Sequence, residues 1–336
     1  MERSFFQKLD NLRFERTRGK KTRIFAQVVF GMMFFLRRSD DPEYRKRFAM
    51  AEEYCRQHVP LETYNWAAVE TPQNLKWLDL RKSGNGAEAY ELWHQETMSN
   101  DLWLGLFDFT NNDGEAAGHI LQSRVLGLQY PAKEQNFFQF NVPLPWLEQQ
   151  YQPGLAQTIF RDLTDILQPL HAQAGLCLTM TGNYIWTQGE GAESLYPVLS
   201  KYPGLIAGNA ADMTFSLGDE MLPINWLNAV HNDLLDRCGG REAVLSQIDQ
   251  AGFELWNYDT GIVVQAGTAP LLGDRETGEK MPHYGVLARA LKPARISSDE
   301  RKGSWRALNY RRPDDMYDQE QDRATQHEYL TRFDSM

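Results

Sequence analysis

The stretch IFAQVVFGMMFFL, residues 24–36, is the longest apolar run in the chain and decides how the fold is interpreted. As a helix these 13 residues would span about 20 Å, which is short of a hydrocarbon core of roughly 30 Å. The run starts late for a signal peptide, and two arginines follow it instead of a small-x-small cleavage site. Its β-branched and aromatic residues are typical of a buried strand, so we expect the first core strand here.

Helix and strand signals alternate on both sides of this strand, which predicts an α+β fold with a mainly antiparallel sheet and packed helices. Upstream, charges alternate with apolar residues over 4–16, which predicts a basic amphipathic helix. Downstream, Asp41, Pro42 and Glu43 form a strong helix start, and that helix should end near His58. Further strands are predicted over 102–109, 121–128, 136–142, 176–181, 212–217, 253–258 and 261–266, and further helices over 157–174, 192–202, 226–237 and 241–250.

Two short segments, PLPWL at 143–147 and PINWL at 223–227, each lie between a predicted strand and a predicted helix. Each is followed by an Ala-Gly pair, at Gly175 and Gly252, that should open a strand. This parallel predicts two related strand–helix–strand units, with Trp146 and Trp226 in equivalent buried positions. The alternative is that a proline and a tryptophan are an ordinary packing device at two unrelated helix starts.

The domain organisation that follows has three parts: a basic N-terminal helix over 1–19, an α+β domain over 20–298 with related lobes 20–181 and 182–298, and an acidic tail over 299–336. The tail has few apolar residues, so we expect it to be peripheral. Its deletion should leave the melting temperature of the domain nearly unchanged. The residues able to dock it on the body or on a partner are Tyr310, Tyr317, Tyr329 and Phe333.

The formal charge of −10 is unevenly distributed along the chain. Residues 1–48 contain 13 Lys or Arg and 6 Asp or Glu, whereas the remainder contains 22 and 39, a formal charge of −17. Three stretches, 83–123, 202–236 and 242–274, contain acidic residues and no Lys or Arg. Such a body repels nucleic acid and favours encounter with a basic protein, although acidic surfaces also serve only to keep proteins in solution.

Motifs that carry catalysis are missing from the sequence. It contains no GxSxG, no Walker A loop, no HExxH and no GxGxxG after a strand, and its seven histidines are scattered. The three cysteines, Cys55, Cys177 and Cys238, show neither zinc-ligand spacing nor a disulfide framework. We therefore expect no catalytic residues, no metal and no cofactor, and three reduced thiols in a cytosolic protein.

Candidate partner-binding residues are acids beside turns, where side chains project freely, and large aromatics that anchor interfaces. The acidic candidates are Asp108, Asp113, Glu115, Asp219, Glu220, Asp274 and Glu276. The aromatic candidates are Trp103 and Trp186, although a tryptophan is more often part of a core than of an interface.

An ordered set of short motifs carries a family resemblance. The motifs are NVPLPWL at 141–147, AGL at 174–176, YPGL at 202–205, INWL at 224–227, CGG at 238–240 and AGTAPLLGD at 266–274. Through them, residues 20–296 resemble the bacterial type VI secretion immunity proteins that are paired with VRR-Nuc nuclease effectors. The resemblance implies a cytosolic inhibitor that binds a nuclease effector and blocks its DNA-binding and active site. It carries over no catalytic residues, because the shared positions are mostly Gly, Pro and Trp.

The acidic body independently suits an inhibitor of a DNA-binding enzyme, because a nuclease must present a basic cleft to the phosphates of DNA. We expect no direct nucleic-acid binding and no membrane association, and the oligomeric state and the cognate effector stay open. The alternative from another class is a small-molecule-handling enzyme with an unrecognised site. A pocket with clustered carboxylates of shifted pKa would favour that enzyme.

Overall fold

The computed structural model of the protein describes residues 9, 12–18, 20–70, 75–82, 102–109, 116–129, 134–149, 154–180, 192–208, 210–214, 217–248, 252–296 and 319–336. Within these residues, twelve strands form one sheet with helices on both faces. Every strand pairing is antiparallel except that between the eighth and ninth strands. The predicted α+β fold with a mainly antiparallel sheet is therefore confirmed.

The strands lie across the sheet in the order β11-β12-β10-β8-β2-β7-β6-β5-β3-β4, with β1 paired to β2 and β9 paired to β8. In chain order they are β1 (Arg13–Arg18), β2 (Lys21–Leu36), β3 (Trp66–Glu70), β4 (Leu75–Asp79), β5 (Leu102–Phe107), β6 (Ile120–Val125), β7 (Asn136–Pro143), β8 (His171–Met180), β9 (Ile206–Ala207), β10 (Leu227–His231), β11 (Phe253–Tyr258) and β12 (Gly261–Ala266).

Most of the helices connect strands that are consecutive in the chain but are not neighbours in the sheet. They are α1 (Pro42–His58), α2 (Leu144–Gln149), α3 (Leu155–Leu167), α4 (Ala192–Lys201), α5 (Ala210–Met213), α6 (Asn232–Arg237), α7 (Arg241–Gln247), α8 (Pro282–Ala290) and α9 (Gln319–Thr331), with 3-10 turns at Leu61–Thr63 and Lys292–Ala294. The predicted start of α1 is confirmed, because the Asp41 carboxylate accepts a hydrogen bond from the Glu43 N–H at 2.9 Å.

Strand β2 contains the apolar run at 24–36, predicted as the first core strand, and it lies in the middle of the sheet, although β1 precedes it in the chain. It pairs with β7 on one side and with β8 on the other, and both of its faces are covered. On one face Phe34 stacks on Phe160 of α3, with ring centroids 5.2 Å apart. On the other face Phe35 stacks on His171 of β8 at 4.6 Å. Coverage of both faces favours apolar residues on both, and Gln27 is the one polar side chain within 24–36.

The two faces of the sheet differ in character. One face is apolar and packs against α1 and α3, through contacts such as Phe48 with Phe138. The opposite face, here called the polar face, carries buried amide side chains aligned across neighbouring strands by the pairing register. These side chains are Gln122, Gln139, Asn141, Gln173 and Asn228.

The polar face exists because an irregular chain segment, described over 205–208, 210–214 and 217–226, crosses it and needs hydrogen-bond partners. Gln139 Oε1 accepts from the Ala210 N–H at 2.8 Å, and His171 Nε2 accepts from the Leu222 N–H at 3.2 Å. Asn228 Oδ1 accepts from the Asn225 N–H at 2.7 Å. Side chains of the sheet thus provide hydrogen bonds to backbone groups that have no strand partner. Leaving one such buried group without a hydrogen bond costs about 1–3 kcal/mol.

The same segment approaches the sheet so closely that Gly175 is required in β8. A Cβ at this position would overlap Oδ1 of Asn225, whose own amide group donates to the Gly204 carbonyl at 3.1 Å. Gly31 lies opposite Gly175 in the register of β2 and β8. The AGL motif at 174–176 therefore marks a close approach of chain to sheet.

The prediction of two related units is wrong. Trp146 lies half-buried in α2, whereas Trp226 is fully buried before a strand, edge-on to Phe30 at 5.9 Å. The helix predicted over 226–237 begins only at Asn232, because residues 227–231 form β10. Gly175 lies in the middle of β8 instead of opening it. The two Pro-x-x-Trp-Leu segments have unrelated surroundings.

Three other boundaries differ from expectation. The helix predicted over 4–16 does not include Arg13–Arg18, which form β1 and fold back on β2 as a hairpin. The helix predicted to reach 174 ends at Leu167, and β8 begins at His171, just after Pro169. The strand predicted over 212–217 is wrong at its start, where α5 ends at Met213.

The C-terminal segment is part of the core over 319–336, so the prediction of a peripheral tail is wrong there. Tyr329 is 3% exposed and Phe333 is 0% exposed. Arg295, itself buried, pairs with Asp334 at 2.6 Å. Residues 297–318, including Tyr310 and Tyr317, lie outside the described residues.

Candidate partner-binding surface

The predicted acidic candidates do not meet at one surface, because they lie at opposite ends of the sheet. Asp219 and Glu220 lie where β2 and β10 end, near Arg37 and Gln135. Asp108 follows β5 at the other end. Asp274 and Glu276 lie in the loop after β12, a strand that ends at the same end of the sheet as β5 but six positions away from it, or about 29 Å along the sheet.

Asp108 is committed to the fold of its own turn. Its carboxylate accepts hydrogen bonds from the backbone N–H groups of Gly118 at 2.8 Å and His119 at 2.9 Å. The His119 ring Nδ1 lies 2.8 Å from the same carboxylate. A carboxylate with three donors stabilises the turn and does not project freely towards a partner.

The loop after β12 is similarly held by its own acids. The Asp274 carboxylate accepts from the Glu276 N–H at 2.9 Å, and Glu276 pairs with Lys201. The Glu279 carboxylate accepts from the N–H groups of Gly273 at 2.6 Å and Asp274 at 3.1 Å. These bonds shape the loop as a turn closed by its own side chains.

The aromatic candidates are less informative. Trp103 is half-buried in β5 and packs at 6.2 Å against Phe107, in a small aromatic cluster that includes Trp66 and Trp77. Its indole N–H is buried and has no acceptor among the described residues. Trp186, Asp113 and Glu115 lie outside the described residues, and their roles stay predictions.

Five aspartates gather where β2 and β10 end, and we call this surface the aspartate end: Asp165, Asp219, Asp233, Asp236 and Asp259. Arg37 joins two of them, at 3.4 Å to the Asp219 carboxylate and 2.6 Å to that of Asp233. Asp219 and Asp233 remain 61% and 51% exposed. These pairs are therefore open to solvent and to a partner.

The remaining members join through backbone contacts between three loops. The His231 N–H donates to the Leu170 carbonyl at 3.0 Å, and the Asn232 N–H donates to the Thr260 carbonyl at 2.8 Å. These bonds bring the end of α3, the start of α6 and the β11–β12 turn together. Asp236 lies close enough to His231 to influence its pKa. Burial lowers the pKa of His231, and the charges of Asp233 and Asp236 oppose that shift.

Like charges crowd at the aspartate end. Partial burial raises the pKa of Asp165, the charge of Asp162 raises it further, Arg161 opposes the rise, and Asp259 adds to it. An unfavourable cluster of this kind is relieved when a positive group approaches. The surface therefore has the sign of charge that attracts basic groups.

Sequence reasoning found only Asp219 among these five residues. The available signal was the lack of Lys and Arg over 202–236 and 242–274, which contribute four of the five aspartates. Asp165 comes from a different part of the chain, and only the sheet topology brings it to the others.

The part of the chain that the structure describes also bears on enzymes and on membrane proteins. No group of three His, Cys, Asp or Glu residues there is arranged to hold a metal ion. Burial raises the pKa of Cys177 to about 12 and that of Cys55 well above its ordinary value, so these thiols are protonated. No helix in the same residues is long and apolar enough to cross a membrane.

The chain is similar to a known protein family and to a solved structure. A family model described as "Type VI immunity for VRR-NUC" matches residues 58–333. Among solved structures, the Pseudomonas aeruginosa T6SS protein PA0821 superposes with a TM-score of 0.75 at 18% identity, covering 98% of this chain and 89% of that one. This likeness shows a shared fold. No curated protein matches the sequence.

Proposed function

Because this chain belongs to the family of type VI immunity proteins for VRR-Nuc, we propose that it binds a cognate VRR-Nuc effector in the cytosol and occludes the DNA-binding site of that nuclease. It acts by binding and performs no catalysis of its own. The observation that carries this proposal is the gathering of five aspartates at the aspartate end, where Asp219 and Asp233 stay exposed beside Arg37.

The aspartate end suits this task because a nuclease grips DNA through positive charge. A protein that binds a run of phosphates presents clustered Lys and Arg side chains. Exposed carboxylates on a rigid surface offer the same sign of charge to those side chains, and they speed the encounter by electrostatic steering. Arg37 holds Asp219 and Asp233 in place without burying them, so both can pair with a partner.

The predicted candidates divide accordingly. Asp219 and Glu220 lie at or beside the aspartate end and form part of the proposed surface. Asp108, Asp274 and Glu276 are held within their own turns at the other end of the sheet. We expect these three to contribute little to effector binding.

The test compares two triple charge reversals of equal size. One variant changes Asp165, Asp236 and Asp259 to Lys, and the matched control changes three exposed acids elsewhere to Lys. The control positions are Glu15, Glu53 and Glu62. Both variants shift the formal charge by the same amount, and both should fold, because exposed charges contribute little to stability.

The expected result is a loss specific to the first variant. Its association rate with the purified effector nuclease should fall by about 10-fold to 1000-fold at low salt, with a weaker salt dependence than in the control. Cells that express the toxin should be protected by the control and poorly protected by the first variant. Equal behaviour of the two triples would exclude the aspartate end as the binding surface. Unimpaired killing in the presence of abundant, folded wild-type protein would refute inhibition itself.

A further inference from the structure

Strand β11 is one edge of the sheet, and it ends at the aspartate end. Over Phe253–Tyr258 it pairs with β12, and no other strand in the described ranges lies beside it. Leu255 in its centre is 46% exposed, one of few large apolar side chains so exposed in the part of the chain the structure describes.

The pairing register shows which backbone groups of β11 face outward. The Ala266 N–H donates across to the Trp226 carbonyl at 2.8 Å, so Ala266 points away from β11. Its partner in the register is Phe253, and antiparallel pairs alternate along the ladder. The N–H and C=O groups of three alternate residues therefore point away from the sheet: Phe253, Leu255 and Asn257.

This edge lacks the usual protection against strand addition. Natural edge strands commonly carry a lysine, a proline or a bulge. The sequence of β11, FELWNY, contains neither residue, and its register with β12 is regular from end to end. The other edge strand, β4, carries Lys76 in its short sequence. An edge left open in this way is suited to accept a strand.

The charge around β11 indicates what kind of strand fits. The outer three strands lie in chain segments 202–236 and 242–274, which contain no Lys or Arg. Glu254 is exposed within β11, and Asp259 follows the strand directly. Two arginines from other elements contact side chains of β11, Arg241 at Asn257 and Arg161 over the Trp256 ring. A second copy of β11, which contains no Lys or Arg, does not complement Glu254 and Asp259. A basic strand would be attracted, and it would continue into the aspartate end.

We propose that an extended, basic segment of the effector nuclease adds to the sheet as a strand beside β11. Its main chain bonds to the outward N–H and C=O groups of Phe253, Leu255 and Asn257, and its basic side chains lie against Glu254 and the aspartate end. This inference rests on the proposed function, and it specifies how the partner is held.

Amide hydrogen exchange by NMR tests the pairing without any substitution. In the free protein, the outward amides of Phe253, Leu255 and Asn257 should exchange fast, while those of Glu254, Trp256 and Tyr258 are protected by β12. With the effector bound, the outward three should become protected as well, and the alternation should disappear. Binding with no change at these three amides would overturn the inference.

Two substitutions at one position separate main-chain pairing from side-chain contact. Leu255→Pro removes an outward N–H and leaves the ladder with β12 intact, whereas Leu255→Thr keeps the N–H and loses most of the apolar side chain. We expect the proline variant to bind the effector about tenfold more weakly than the threonine variant. Equal affinities would contradict strand addition. Amide exchange of the wild-type protein decides the matter if the proline variant does not fold.

The outcomes also distinguish this inference from the proposed function. Full inhibition of the nuclease by the proline variant, with unprotected outward amides in the wild-type complex, overturns strand addition and leaves immunity standing. A folded wild-type protein that does not bind the effector overturns both. Outward amides already protected in the free protein, together with a dimeric mass by light scattering, would show that a second copy occupies the edge and would overturn the inference.

Discussion

Replacing Phe333 with alanine tests how far the core depends on the last residues of the chain. The Phe333 side chain is 0% exposed and packs on Tyr284, with ring centroids 5.3 Å apart. The Arg332 guanidinium lies over the Phe333 ring at 4.5 Å and donates to the Pro203 carbonyl at 2.9 Å. The ring thus joins α8 and the loop after α4 to the C-terminus.

The expected cost follows from complete burial. Truncating a buried phenylalanine to alanine costs about 3–5 kcal/mol, because apolar contact is lost and a cavity remains. For a chain of 336 residues, the unfolding entropy is roughly 0.7 kcal/mol per kelvin. The melting temperature should therefore fall by about 4–7 °C.

Differential scanning calorimetry measures this shift, with Ser335→Ala as the matched control, since Ser335 is exposed two residues further on. The control should melt within about 1 °C of the wild type. Removing residues 319–336 altogether should prevent folding, because it also leaves the buried Arg295 guanidinium without Asp334. A Phe333→Ala protein that melts with the wild type, or a truncated protein that remains folded, would refute the assignment of this segment to the core.

Two further predictions concern the polar face. Burial lowers the pKa of His171 to about 3, so the unfolded chain takes up a proton below about pH 6.5 before the folded chain does. The stability contributed by neutral His171 should be complete above that pH and fall by up to about 1.4 kcal/mol per pH unit below it. Urea denaturation at pH 7.5 and pH 5 should show a smaller loss of unfolding free energy in His171→Asn than in the wild type. Equal losses in the two proteins would contradict the prediction. Gly175→Ala forces a methyl group against Asn225 and should lower the free energy of unfolding by roughly 1–3 kcal/mol. The loss should be smaller when Asn225 is also changed to alanine. An undiminished loss in that double variant would mean that the clash lies elsewhere.

The elements that sequence reasoning predicted well have local signals. The strand at 24–36 is apolar at nearly every position, Gln27 excepted, because both of its faces are covered, and helix α1 carries its start signal in its own residues. The hairpin of β11 and β12 was placed at its observed bounds, because a two-residue turn separates two strand-like runs. Each of these predictions needs only a few neighbouring residues.

The elements that were mispredicted depend on contacts from distant residues. Strand β10 has five residues and is buried on both faces, so it lacks the alternation that distinguishes a strand from a helix. Its buried Asn228 is stable only because Asn225 folds back to it. The apolar residues at the C-terminus are few and lie among charges, so average composition hid their burial.

The candidate site was predicted only in outline for the same reason. Net charge along the chain indicated an acidic flank, but the position of each acid depends on strand order. Asp165 and Asp259 are 94 residues apart in sequence, yet the charge of Asp259 contributes to the raised pKa of Asp165. By contrast, Asp108 is beside a turn, as predicted, and its carboxylate is used to close that turn.

The position of β2 has a consequence for how the protein is made. The strand is complete once Leu36 has been synthesised, but β8, which covers one of its edges, ends 144 residues later at Met180. At the usual rate of translation the interval is roughly 7 to 29 s. Until β8 is complete, the nascent chain carries an apolar strand with one edge uncovered, which favours aggregation. For the proposed inhibitor, synthesis on demand would therefore be a slow response to a toxin, and protection would depend on a folded pool that is already present.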